Sequence, residues 1–224
     1  MKYNCVIFDL DGTLVDTIGD IAESMNKSLV FYGFSPVPRE KYPRMVGWGV
    51  KKLAWLALAE SAGEAVAEEK AEKVAAGAAR FYAEAPLVYS KPYSGIPETV
   101  AELARKQVKM AVISNKPDPV ARLVVEGLFP GNPFRAIRGE IPGLPRKPDP
   151  AAVWELLVQM DRTPRETVFV GDSEIDMETA RSAGCFALGV GWGYRPRQVI
   201  EEAGAGMIID RPDEIPALIR DTRM

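Results

Sequence analysis

Short apolar runs recur along this chain, and most are apolar at every position instead of alternating with polar residues. Strands that are buried on both faces of a parallel sheet have this pattern. The predicted strands are 5–8, 108–113, 136–138, 167–170, 185–190 and 207–209. The helices predicted between them are 95–105, 118–127, 150–160, 175–183 and 197–203. Alternating strands and helices predict an α/β fold with a doubly wound, Rossmann-like parallel sheet.

Residues 16–85 depart from this order, because no strand pattern occurs among them. Apolar positions such as Ile21 and Met25 fit one face of a helix, and the last third of the segment is rich in Ala, Glu and Lys, which favour helices. A segment of this length with its own apolar positions can form a second small core. We therefore predict a core domain of residues 1–15 and 86–224 that carries an inserted, all-helical domain.

Two aspartates, Asp9 and Asp11, directly follow the first predicted strand. Side chains two positions apart in an extended segment point the same way, so both carboxylates can converge on one small volume. The two charges repel each other unless a cation, a proton or a positive side chain lies between them. The pattern favours a metal site or a nucleophile with an acid beside it, although Asp11-Gly12 is also an ordinary turn signal.

Further polar residues lie at the ends of other predicted strands, where open parallel sheets bind their ligands. Ser114 and Asp172 each follow a strand, and Lys147 lies in the loop before the helix predicted from residue 150. Each has a plain explanation by itself, as a helix cap or as a solvated loop lysine. Together they place a hydroxyl, an ammonium and a third carboxylate at the edge that carries the aspartate pair.

The set of motifs resembles that of the haloacid dehalogenase (HAD) superfamily of phosphotransferases. The matching segments are Asp9-Leu10-Asp11-Gly12-Thr13-Leu14-Val15-Asp16, Ser114-Asn115-Lys116, Lys147-Pro148 and Gly171-Asp172-Ser173-Glu174-Ile175-Asp176. The inserted helical domain resembles the helical cap of that family. A narrower resemblance, to phosphoglycolate phosphatases, rests on Met45-Val46-Gly47-Trp48-Gly49, Gly191-Trp192-Gly193-Tyr194 and the ending from Ile208 to Pro216.

The resemblance implies a Mg²⁺-dependent phosphatase that hydrolyses a small phosphate monoester through an aspartyl-phosphate intermediate. It implies that Asp9 is the nucleophile and that Asp11 is the acid and base. The Mg²⁺ ligands that it implies are the side chains of Asp9 and Asp172 and the backbone carbonyl of Asp11. Ser114 and Lys147 would hold the transferring phosphoryl oxygens.

The resemblance also indicates residues around this centre. Gly12, Thr13 and Asn115 are expected to offer neutral donors to the substrate. Asp176 is expected behind the metal ligands, where it would orient Lys147 or a metal-bound water, although an acid at a helix start has the same pattern. The loop Gly47-Trp48-Gly49 of the inserted domain is expected to face the active site and to influence which leaving group fits.

Two other functions remain open from the motifs. A sugar-phosphate mutase of the β-phosphoglucomutase type has the same core and also needs an acid at Asp11. A non-catalytic binding or regulatory protein with this fold is expected to have lost Asp9, Asp11, Lys147 or Asp172, and all four are present.

Composition narrows the function further. The net charge of −3 and the pI near 5.3 give no broad basic surface for nucleic acid. The absence of His excludes Ser-His and Cys-His mechanisms and His-ligated zinc. Cys5 and Cys185 lie in apolar runs, which favours buried, reduced thiols. With no secretory signal and no run near the ~20 apolar residues of a membrane helix, we predict a cytoplasmic protein. The resemblance implies that it acts on a small phosphorylated metabolite, and we expect a monomer or a homodimer.

Overall fold

The computed structural model describes residues 3–219, which divide into two compact units. The first unit runs to Asp16 and resumes at Pro92, and the second comprises Thr17–Lys91. The helical segment predicted to end at residue 85 thus belongs to a unit that continues to Lys91. None of the helices within residues 3–219 combines the length and the apolar character that a membrane span requires.

The first unit is built on a six-stranded sheet in the order β5-β4-β1-β6-β7-β8, and its neighbouring strands are parallel. In chain order the strands are β1 (Cys5–Phe8), β2 (Val15–Asp16), β3 (Lys91–Pro92), β4 (Lys109–Pro117), β5 (Ala136–Glu140), β6 (Thr167–Gly171), β7 (Phe186–Val190) and β8 (Met207–Ile209). The short strands β2 and β3 pair separately in a two-stranded sheet.

Helices separate the strands of the sheet, which confirms the predicted α/β fold. The helices are α1 (Ile18–Phe31), α2 (Gly49–Ala62), α3 (Glu64–Glu84), α4 (Ile96–Arg105), α5 (Asp118–Leu128), α6 (Ala151–Met160), α7 (Glu174–Ala183) and α8 (Arg197–Glu202). The first three belong to the second unit, together with a 3₁₀ segment, Arg39–Arg44.

Strand β1 lies at the centre of the sheet, and all four of its residues are fully buried. A continuous apolar run is required there because helices cover both faces of a parallel sheet. In the register of the sheet, Phe8 lies beside Val112 of β4 and Val170 of β6. The residues that come after Phe8, Val112 and Val170 therefore emerge side by side at one edge.

The second unit has its own internal contacts. Helices α1 and α3 approach closely: a Cβ atom added at Gly77 would lie 2.4 Å from the Ser28 hydroxyl, and this hydroxyl donates a hydrogen bond of 2.7 Å to the Val74 carbonyl. The buried Asp20 carboxylate accepts hydrogen bonds from the backbone N–H groups of Tyr89 and Ser90 and from the Ser90 hydroxyl. One carboxylate in the first turn of α1 thus fixes the segment that leaves the unit.

Candidate active site

Three buried carboxylates converge at the edge where β1 and β6 end. Asp9 follows β1, Asp172 follows β6, and Asp176 lies in the first turn of α7. Each offers an oxygen atom, and these atoms all lie within 4.8 Å of one another. The register of the two neighbouring strands, in which Phe8 lies beside Val170, brings Asp9 and Asp172 together although they are far apart in the sequence.

The Lys147 ammonium group lies among these carboxylates. Its nitrogen is 2.5 Å from Oδ1 of Asp9 and 2.7 Å from Oδ1 of Asp176, and its side chain is 4% exposed. Burial alone would lower the pKa of Lys147, but Asp176 and Asp9 raise this pKa above its ordinary value. Lys147 therefore carries a positive charge in contact with Asp9.

Asp176 is held in place by the start of helix α7. The backbone N–H and the hydroxyl of Ser173 donate to its Oδ2 atom at 3.1 and 2.6 Å, in a capping box. Gly171 makes room for it, because a Cβ atom there would lie 2.2 Å from the Cβ atom of Asp176. Asp176 is thus both an acid in the first turn of α7 and a partner of Lys147.

Asp172 is oriented by donors from two other segments. The Thr13 hydroxyl donates to its Oδ1 atom at 3.2 Å, and the backbone N–H of Tyr194 donates to Oδ2 at 2.7 Å. Two glycines allow this close approach: an added Cβ atom would lie 2.4 Å from Asp172 Oδ2 at Gly12, where φ is +93°, and 2.1 Å from Asp172 Cβ at Gly193. Gly12 and Thr13, predicted to contact substrate, are thus in contact with Asp172.

The loop Gly191-Trp192-Gly193-Tyr194, which follows β7, is part of this centre. The Trp192 indole N–H donates to the Thr13 carbonyl at 3.0 Å, and the Tyr194 hydroxyl donates to Asp16 at 3.4 Å. The sequence singled out this loop only as a family resemblance and assigned it no site role. The loop comes directly after β7, the strand beside β6. This position is the feature of the sequence that could have predicted a contact with Asp172.

The residues after Ile113 at the end of β4 form the other side of the edge. The Ser114 hydroxyl accepts a hydrogen bond from the backbone N–H of Lys116 at 3.1 Å. The Asn115 side-chain amide donates to the Lys147 carbonyl at 3.0 Å, so this residue, expected to bind substrate, holds the backbone of Lys147. The Lys116 ammonium lies 2.9 Å from Oδ1 of Asp11, a pair that the sequence did not predict.

Gly47, Trp48 and Gly49 do not belong to the first unit, which carries the carboxylates described above. They lie in the second unit, where Gly47 and Gly49 have φ values of +113° and +80° and Gly49 begins α2. These backbone conformations favour glycine, and they account for the break that the sequence shows before the helix.

The sequence model described as haloacid dehalogenase-like hydrolase matches residues 6–190. The chain belongs to this family. It is 34% identical over 206 residues to a phosphoglycolate phosphatase of Pseudomonas putida, covering 92% of this chain and 75% of that protein. A phosphoglycolate phosphatase of Pectobacterium atrosepticum is 30% identical over 217 residues, covering 95% and 90%. These relatives confirm the predicted resemblance to phosphoglycolate phosphatases.

Solved structures agree with this haloacid dehalogenase-like assignment. The crystal structure of a candidate phosphoglycolate phosphatase from Lactobacillus delbrueckii subsp. bulgaricus has a TM-score of 0.91 and 32% identity, covering 98% of this chain and 99% of that chain. One from Haemophilus somnus 129PT has a TM-score of 0.89 and 26% identity, covering 97% and 98%.

The charges in the site of this haloacid dehalogenase-like protein fit a bound divalent cation. Burial raises the pKa of Asp9 well above its ordinary value; Lys147 opposes this rise, and Asp176 and Asp172 add to it. Burial and the Asp176 charge raise the pKa of Asp172 to about 7. One ammonium group cannot compensate three ionised carboxylates, whereas a hard divalent cation with oxygen ligands can.

We expect Mg²⁺ to raise the melting temperature more at pH 8 than at pH 5. Because the pKa of Asp9 and that of Asp172 are raised above their values in the unfolded chain, the folded protein binds more protons, and stability without metal falls as pH rises from about 4 to about 7. At pH 8 we expect these carboxylates to bind Mg²⁺ with less competition from protons than at pH 5. Thermal unfolding with Mg²⁺ or chelator at both pH values measures this.

The matched control for this measurement is Asp172→Asn, which keeps the shape of the side chain but removes one charge. We expect the variant to lose most of the Mg²⁺-dependent increase at pH 8. An increase that is equal at both pH values, or equal in the variant and the wild type, contradicts binding of the cation at these carboxylates.

Proposed function

We propose that this haloacid dehalogenase-like enzyme is a Mg²⁺-dependent phosphatase that hydrolyses a small phosphate monoester through an aspartyl-phosphate on Asp9. The observation that carries the proposal is the buried Asp9 carboxylate in contact with the Lys147 ammonium and grouped with Asp172 and Asp176. The names of the relatives support 2-phosphoglycolate as the first substrate to test.

In the first step an Asp9 oxygen attacks phosphorus, a new P–O bond forms, and the bond to the ester oxygen breaks. Asp11 gives its proton to the departing oxygen, so that an alcohol leaves instead of an alkoxide. In the second step Asp11 takes a proton from the water that attacks the same phosphorus. The Asp9–phosphorus bond breaks, inorganic phosphate leaves, and both aspartates return to their starting states.

Lys147 and Ser114 are assigned to the phosphoryl oxygens in this proposal. Lys147 is a buried point charge beside the nucleophile, where it can stabilise the negative charge that builds up on those oxygens. The Ser114 hydroxyl accepts the N–H of Lys116 and keeps its own O–H to donate. Asn115 and Asp176 act indirectly, because both hold Lys147.

The side chains of Asp9 and Asp172 and the backbone carbonyl of Asp11 would hold Mg²⁺, which supplies the positive charge that lets an anionic phosphate approach these carboxylates. Thr13 and Tyr194 then serve to orient Asp172 for this purpose. We propose that Gly47, Trp48 and Gly49 of the helical unit contribute to selection of the leaving group.

A substrate screen tests the proposal. Phosphate release is measured from 2-phosphoglycolate, hexose phosphates, nucleotides and pyrophosphate, with Mg²⁺ and with chelator. We expect the highest kcat/KM for 2-phosphoglycolate and no release with chelator. Faster isomerisation of a hexose phosphate than hydrolysis of any ester favours the mutase, and no turnover of any substrate contradicts both enzymes.

A further inference from the structure

Lys116 and Asp11 form an ion pair that is largely removed from water. The Lys116 nitrogen is 2.9 Å from Oδ1 of Asp11, and the two side chains are 6% and 17% exposed. A charge pair at this depth has a well-defined geometry, because an unpaired ammonium or carboxylate there would be costly. It is separate from the pair of Lys147 with Asp9, so Asp9 and Asp11 each pair with a different lysine.

The backbone around Lys116 fixes the direction of this side chain. The register between β4 and β5 shifts between Ile113 and Pro117, where the chain departs from regular pairing. The Ser114 hydroxyl accepts the N–H of Lys116, and Gly139 of β5 lies against its carbonyl: an added Cβ atom at Gly139 would be 2.7 Å from that oxygen. Lys116 is therefore held by local contacts on both of its backbone polar groups.

We infer that Lys116 is a positioning residue that aims the Asp11 carboxyl group at the ester oxygen of the substrate. The inference rests on the proposed function, in which Asp11 gives a proton to that oxygen. The ammonium holds Oδ1, so the proton that Asp11 gives is carried on its other oxygen, Oδ2, and the transfer begins from one orientation of the carboxyl group. In this assignment Lys116 acts through Asp11 and has no direct part in phosphoryl transfer.

This role can be measured by varying the leaving group. An alkyl ester such as 2-phosphoglycolate or ethyl phosphate must leave as an alcohol, whereas p-nitrophenolate leaves readily without a proton. Because kcat/KM covers the steps up to transfer of the phosphoryl group to Asp9, it reports on the proton given to the leaving group. We expect Lys116→Met to lower kcat/KM for the alkyl esters about 10- to 100-fold more than for p-nitrophenyl phosphate. This factor is part of the rate enhancement that general acid catalysis by Asp11 contributes.

Three further variants make the test specific. Lys116→Arg retains the charge and is expected to restore most of the activity on alkyl esters. In an Asp11→Asn background, Lys116→Met is expected to add little, because the group that it positions is already gone. The control is Lys106→Met. Lys106 precedes the start of β4, at the end of the strand away from Lys116, and it pairs with Glu102 at 2.8 Å. Its replacement is expected to leave kcat/KM for both kinds of ester unchanged.

Each outcome separates the inference from its alternatives. An equal loss on aryl and alkyl esters overturns it and indicates a structural or phosphate-binding role. A loss confined to 2-phosphoglycolate, with ethyl phosphate unaffected, overturns it in favour of Lys116 as a binder of the substrate carboxylate. If Lys116→Met does not fold, Lys116→Gln provides the same comparison. Wild-type protein that hydrolyses neither these three esters nor any ester of the substrate screen contradicts the proposed function itself.

Discussion

Asp9→Asn is expected to lower kcat for phosphate release by about 10⁴-fold or more with every substrate. An amide of the same shape cannot attack phosphorus, so no phosphoryl group is transferred to the protein. The folded state tolerates the change, because burial already disfavours a charge on Asp9 and Lys147 keeps its contact with Asp176. The expected result is therefore an inactive protein with a melting temperature close to that of the wild type.

Rapid acid quench with a radiolabelled ester distinguishes a missing nucleophile from a damaged site. The wild type is expected to yield a protein-bound phosphate that hydroxylamine removes, and Asp9→Asn to yield none. Asp161→Asn is the matched control, since Asp161 has a φ of +53° at the end of α6, a conformation that Asn also tolerates. Phosphate release by Asp9→Asn at the rate of the control variant would refute the assignment of the nucleophile.

Lys147→Met is expected to have the second large effect, and it should lower both the catalytic rate and the stability of the protein. We expect kcat/KM to fall about 10³-fold, because a fixed charge beside the transferring phosphoryl group is lost. Without Mg²⁺ at pH 8 the free energy of unfolding is expected to fall by about 3–5 kcal/mol, the usual cost of leaving buried charges unpaired. Chemical denaturation and steady-state kinetics measure the two effects.

The stability loss in Lys147→Met has a defined pH dependence. The pKa of Asp9 and that of Asp172 are already raised, and removal of the ammonium raises the Asp9 value further. One charge left without its ammonium partner in the variant is that of Asp9, and protonation removes this charge at low pH, so the deficit is smaller at pH 5 than at pH 8. Lys109→Met, which removes a lysine that donates to the Met160 carbonyl at 2.8 Å, is the control. A deficit of equal size at both pH values contradicts this account.

The fold was predictable where local pattern and burial agree. Strands β1 and β8 have the limits that the sequence predicts, because turn residues bound their apolar runs. Strand β4 does not: the prediction ends at Ile113, but the strand continues to Pro117. Its last residues are polar because they line the site instead of the core, so the hydrophobic pattern stops before the strand does. Strands β2 and β3, two residues each, are too short to show any pattern.

The convergence of Asp9, Asp172 and Lys147 was also predictable, whereas the pairings of the charged groups were not. Parallel strands end at one edge, which is enough to expect Asp9, Asp172 and Lys147 near one another. Which ammonium meets which carboxylate depends on the register shift in β4 and on the course of the loops. Sequence spacing therefore did not reveal the Lys116–Asp11 pair, or the donation of the Tyr194 N–H to Asp172.

The path of the chain between the two units has a consequence for folding. The chain leaves the first unit at Asp16 and re-enters it at Pro92, and both residues lie in the paired strands β2 and β3. Pairing of β1 with β4 must close the long loop from Phe8 to Lys109, and the entropic cost grows with the logarithm of loop length. A helical unit that folded before β1 pairs with β4 would bring the ends of the insertion together at β2–β3 and shorten this loop. The insertion that divides the catalytic domain in sequence would then add less to the entropic cost of pairing β1 with β4.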